Sequence, residues 1–117
     1  MSSLDRFFAA LLLPVLVASC GASWVRDAPH DPGIPVRFVY VDAGATRVCV
    51  SGSFNQWSLN SHCLQREGST WTITIPLPAG RWEYGFYVDG ESWKTDPGVP
   101  LTEDNGFGRA NSVLIVE

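Results

Sequence analysis

The chain predicts an all-β domain, an immunoglobulin-like β-sandwich of about seven strands. Three observations point there: apolar residues recur with a period of two, turn signals fall every 8 to 12 residues, and no long charged helix-forming run occurs. Eleven Gly and eight Pro spread along 117 residues supply those turns. With 45% hydrophobic and 17% charged residues the composition is that of a packed domain. Eight basic against twelve acidic side chains leave a net charge of −4, without the basic footprint a nucleic-acid binder needs.

The first strand is read over Val36–Val41, with Phe38 and Tyr40 on one face, and Asp42–Ala45 ends it. In Arg47–Ser51, Val48 and Val50 share one face while Arg47, Cys49 and Ser51 share the other. Trp71, Ile73, Ile75 and Leu77 form an apolar face opposite Thr72 and Thr74, and Trp82, Tyr84, Phe86 and Val88 repeat the pattern before the hairpin signal Asp89-Gly90. Trp71 and Trp82 are therefore core assignments. The last run, Asn111–Val116, points Leu114 and Val116 inward.

Ahead of the domain, Phe7–Val17 is an uncharged apolar run of eleven residues. That is too short for a hydrocarbon core, which takes about 20, and suits a signal peptide. Val17-Ala18-Ser19-Cys20 resembles the lipobox of bacterial lipoproteins, which implies cleavage after residue 19 and a lipid on Cys20. The expected organisation is a signal over residues 1–19, a tether over 20–34 rich in turn formers, and a domain over 35–117. The protein is expected to be exported and lipid-anchored. Gly21 stands where an inner-membrane retention signal would place Asp, which directs the expectation to an outer membrane where the source has one.

Cys49 and Cys63 both read as facing away from the core, Cys63 by its place before inward Leu64. That is compatible with a Cys49–Cys63 disulfide in an oxidising compartment, closing a loop of about 15 residues, and this bridge is the expectation, with two free buried thiols as the alternative. Adjacent His62 and Cys63 project oppositely on a strand, so no metal set is read there. No cofactor is implied.

Two segments exceed what turns require: Gly52-Ser53-Phe54-Asn55-Gln56-Trp57, and Tyr84–Asp89 followed by Gly90, Trp93 and Asp96-Pro97. With Gly108-Arg109-Ala110-Asn111 they resemble carbohydrate-binding module family 48, the glycogen-binding domain type found in the β subunit of AMP-activated protein kinase and in isoamylase early-set domains. The resemblance covers about residues 35–117. It implies non-catalytic binding of α-1,4-glucans, with Trp57 and Trp93 as stacking platforms, Phe107 reaching into the sugar spiral, and Asn111 and Arg109 on sugar hydroxyls. The chemistry agrees, since a glucan offers flat C–H faces rimmed by hydroxyls and so calls for aromatic platforms with a few fixed polar partners. The family's sugar-contacting Lys falls on Gly85, where the match fails, and Lys94 is the nearest substitute. An interaction module that has lost sugar binding and packs against a protein partner is the alternative. An enzyme is not expected: no strand face pairs two carboxylates and no Gly-x-Ser-x-Gly elbow occurs.

Overall fold

The computed structural model describes residues 32–117. The expected export signal, the lipidation expected at Cys20 and the expected tether as far as residue 31 lie outside the described residues. Eight strands follow in order: β1 (Ile34–Val41), β2 (Val48–Gly52), β3 (Gln65–Glu67), β4 (Thr70–Leu77), β5 (Gly80–Val88), β6 (Ser92–Lys94), β7 (Thr102–Asp104) and β8 (Ala110–Val116). One sheet runs β1-β4-β3, the other β2-β5-β8-β7, with β6 also on β5. All the pairings are antiparallel.

The alternating residues meet between the sheets as their period requires. In the first sheet Phe38 lies opposite Ile73, Tyr40 opposite Trp71 and Val36 opposite Ile75. In the second, Val48 and Val50 lie opposite Val88 and Phe86. Phe38 and Tyr84 make an edge-to-face contact with ring centroids 4.9 Å apart, and Tyr40 and Phe86 lie at 5.0 Å. Both spacings are typical of favourable aromatic pairs. Trp71 is buried and its indole N–H donates to the carbonyl of Asp42. Tyr84 is wholly buried in the core and donates its hydroxyl to Asp96 at 2.6 Å, so burial and the adjacent carboxylate both push its ionisation far upward.

The structure differs from the sequence reading in three places. The first strand begins at Ile34, ahead of the expected Val36, because β1 is a sheet edge and an edge tolerates Pro35. Three strands, β3, β6 and β7, are each three residues long, too short to show alternation, so the sandwich has eight strands. Trp82 is only half-buried, packed on the margin of the core where its indole N–H can reach the carbonyl of Pro78 at 3.0 Å.

One detail of β5 positions everything that follows. Its first edge is paired with β2 across residues 84–88, and its second edge is shared end to end, by β8 along residues 80–84 and by β6 along 86–88. Gly85 sits at the changeover.

Candidate functional site

The outer face of the five-stranded sheet, turned away from the core, gathers the motif residues. Directly opposed residues share a face, so Cys49, Tyr87 and Trp93 form one row and Ser51 with Gly85 the next. A cleft of about 390 Å³ opens over them, lined by Ser51, Trp57, Leu59, Trp93, Asn105, Phe107, Arg109 and Asn111. It has two walls, one from the loop after β2 and one from the loop before β8.

The first wall is a braced excursion. Residues 62–64 return to the free edge of β2, where the amide of Val50 bonds His62 and that of Leu64 bonds Val48. A Cys49–Cys63 disulfide closes the excursion at its base. Asn55 is buried inside it: its carbonyl oxygen accepts from the Gly52 amide, and its Nδ2 donates to the Val50 carbonyl and to His62 Nδ1. Gln56 and Trp57 both take left-handed backbone angles, with φ of 56° and 60°, a conformation that costs non-glycine residues energy and recurs at functional positions. Trp57 ends up 42% exposed.

The second wall is built by Asn105. Its side-chain oxygen accepts from the amides of Phe107 and Arg109, and its own amide donates to the Arg109 carbonyl. Gly106 and Gly108 supply the positive φ values this tight loop needs. Phe107, between them, is 90% exposed, a large apolar side chain held out to solvent by a pinned loop.

Trp93 forms part of the floor. Its indole lies against Gly85, so closely that a Cβ there would stand 2.3 Å from Cζ2 and 2.5 Å from Cε2. The ring crosses the gap between β6 and β8 and donates its N–H to the carbonyl of Ala110 at 3.0 Å. Trp57 lies 6.2 Å from it, ring to ring, at 46°. The Arg109 guanidinium stands over the Trp93 ring at 5.4 Å. That guanidinium has no carboxylate partner among the described residues.

Asn111 is buried, and its Nδ2 donates to Glu83 Oε1 at 3.3 Å. Arg81 bonds the other oxygen of Glu83 at 2.8 Å, and together these bonds, Arg81's first, hold the Glu83 carboxyl below its ordinary range. Ser51, across from Gly85, has a wholly buried hydroxyl with no hydrogen-bond partner among the described residues.

Of the residues singled out in the sequence, Trp57, Trp93, Phe107, Arg109 and Asn111 come together around one cleft. Lys94 does not join them: it is paired with Phe86 and shares that residue's face, opposite to Trp93. Sequence reasoning missed Ser51, Leu59 and Asn105, which carry no aromatic or charged signal of their own. Gly85, read there as a missing donor, is the seat of an indole. Two carboxylates of the turns have structural work. Asp89 Oδ1 accepts from the Thr46 and Arg47 amides and the Thr46 hydroxyl, which hold its carboxyl below the usual range. Asp104 accepts from the Gly106 amide.

Two indoles and a presented phenylalanine thus stand around a small polar floor on the outer face of the β-sandwich. The family described as the glycogen recognition site of AMP-activated protein kinase matches residues 34–117, and the chain belongs to that family. Among curated relatives, the SNF1-related protein kinase regulatory subunit beta-2 of Arabidopsis thaliana is 37% identical over 77% of this chain and 30% of its own length. The 5'-AMP-activated protein kinase subunit beta-1 of Homo sapiens is 35% identical over 80% of this chain and 33% of its own. Protein PTST homolog 2, a chloroplastic protein of Arabidopsis thaliana, is 33% identical over 62% of this chain and 13% of its own. The chain thus spans a third or less of the length of these relatives.

Proposed function

We propose that the domain binds α-1,4-glucans such as glycogen, starch or maltodextrins at the outer-face cleft and does not cleave them. The observation that carries this reading is the pairing of two walls, Trp57 on one and Phe107 on the other, over a floor formed by Trp93 and Asn111. Apolar rings face the C–H surfaces of a sugar, and Arg109 and Asn111 meet its hydroxyls. Among the described residues no carboxylate lines the cleft, and glycoside hydrolysis requires an acid pair. A shallow site that must also order a flexible glucan yields modest affinity, with Kd on the order of 10 μM to 1 mM. Calorimetric titration of maltoheptaose into the full chain in a sugar-free detergent tests it. Saturable binding that Trp57→Ala abolishes supports the reading, and absence of binding overturns it.

The second part of the proposal is display from a membrane through lipid on Cys20, in the outer membrane where the source has one. It rests on the short apolar run and the Val17-Ala18-Ser19-Cys20 sequence. The expected intact mass is that of a chain beginning at Cys20 with a diacylglycerol attached; an unmodified, soluble protein would refute it. A protein partner is the alternative role for the fold, favoured by relatives named as kinase subunits. It becomes the working reading if glucan titration fails.

A further inference from the structure

Asn111 is 5% exposed, and only one half of its amide is engaged. Nδ2 donates to Glu83 Oε1 at 3.3 Å, whereas Oδ1 has no hydrogen bond among the described residues, and the residue lines the cleft. An amide in such a place has two orientations of nearly equal shape that differ in what they offer a ligand, two N–H donors or a carbonyl acceptor. Glu83 breaks the tie. An ionised carboxylate can only accept, so the NH2 end must turn to it and the oxygen must turn to the cleft.

We propose that Glu83 is a positioning residue which, held by Arg81, orients the Asn111 amide so that the site presents an acceptor to the glucan. Glu83 does not line the cleft and acts only through Asn111. The proposal rests on the glucan-binding reading above and deepens it: next to the acceptor, Arg109 two residues away offers only donors. The pair is matched to adjacent sugar hydroxyls, one giving and one receiving a proton. A glucan whose hydroxyl at the Asn111 position is methylated or deoxy loses its donor there.

The charged groups around Glu83 are few. Arg81 on the same strand bonds it at 2.8 Å, and Glu103 on β7 lies 3.8 Å from that arginine on its other side. Both bonds to Glu83 favour its ionised form. The orientation is therefore present at neutral pH and lost as pH falls through the depressed carboxyl range, below the ordinary glutamate value of about 4.3. Glu83→Gln keeps the shape and removes the rule, because a glutamine amide can give or take.

Two measurements on the full chain test this. In the first, the side-chain amide resonances of Asn111 are followed by NMR against pH without ligand. They are expected to titrate in the wild type and to stay level in Glu83→Gln, while the Asp89-dependent signals titrate in both. Resonances that ignore pH in the wild type, or titrate equally in Glu83→Gln, overturn the proposal. This outcome is independent of whether glucan binds. In the second, maltoheptaose affinity is measured across pH. Glu83→Gln is expected to bind roughly two- to tenfold more weakly at pH 7, the worth of one hydrogen bond, and to show no further loss in acid where the wild type falls. Wild-type affinity in Glu83→Gln, or an acid fall that persists in it, rejects the proposal. Failure of the wild type to bind at any pH counts against the glucan reading instead and leaves the NMR result to decide the amide.

Discussion

A single missing Cβ decides the height of the floor. With Cζ2 of Trp93 only 2.3 Å from where a Cβ at residue 85 would stand, no side chain but hydrogen is compatible with this indole pose. Gly85→Lys, the change that the family resemblance would make to add a donor, is expected to expel the ring. It should lower stability by about 1–3 kcal/mol through overpacking and weaken glucan binding, read by thermal unfolding, indole fluorescence and titration. The two cleft tryptophans separate in the same experiments. Trp57 is 42% exposed, so Trp57→Ala should cost roughly 2 kcal/mol of binding and leave stability within about 0.5 kcal/mol. Trp93→Ala is expected to lose binding and also about 1–3 kcal/mol of stability. It removes both the packing on Gly85 and the indole bond to Ala110.

At the scale of the element, the Trp57 wall depends on its base. The Cys49–Cys63 disulfide ties β2 to the returning strand segment and closes a separation of 14 residues. In the chain-entropy account such a loop stabilises by about 3 kcal/mol. Cys49→Ser combined with Cys63→Ser is therefore expected to lower the urea midpoint, and to weaken maltoheptaose binding because Trp57 and Gln56 no longer have a fixed frame for their left-handed conformation. Thiol titration of the unreduced, denatured wild type should find neither Cys49 nor Cys63 reactive. Asn55→Ala reaches the same wall from inside by leaving the Gly52 amide and the Val50 carbonyl without their side-chain partner. It should cost about 1–3 kcal/mol.

For the molecule as a whole, acid is the sharpest probe of the charged turns. Asp89, which accepts from Thr46 and Arg47, has its carboxyl depressed in the fold. Its stabilisation is present above the unfolded value of about 3.9 and lost as pH falls through the lower folded value. The gap in urea midpoint between wild type and Asp89→Asn should be level at neutral pH and close in acid. The sandwich itself was legible because one-sided burial imposes alternation: Phe38, Val48, Val50, Trp71, Ile75, Tyr84 and Phe86 all lie where a period of two places them. The candidate cleft was legible at Trp57 and Phe107, where an aromatic stood in a loop without a core to fill. What stayed hidden depended on neighbours distant in sequence. Trp93 covering Gly85, Glu83 gripping Asn111 and the unpartnered hydroxyl of Ser51 arise from how β5 meets β2, β6 and β8. Lys94 was placed wrongly by proximity in sequence, since adjacent residues of a strand face opposite ways.

The divided edge of β5 gives ligand binding an unusual reach. Much of each wall is built from its own short stretch of chain, but the floor exists only once β2, β5, β6 and β8 are side by side. A bound sugar therefore has no foothold on a partly opened molecule, and its free energy is added to the global unfolding equilibrium. At a free concentration of a hundred times Kd that addition is about 2.7 kcal/mol. Amide hydrogen exchange should then slow across both sheets together, in strands far from the cleft as much as in the loops that touch the sugar.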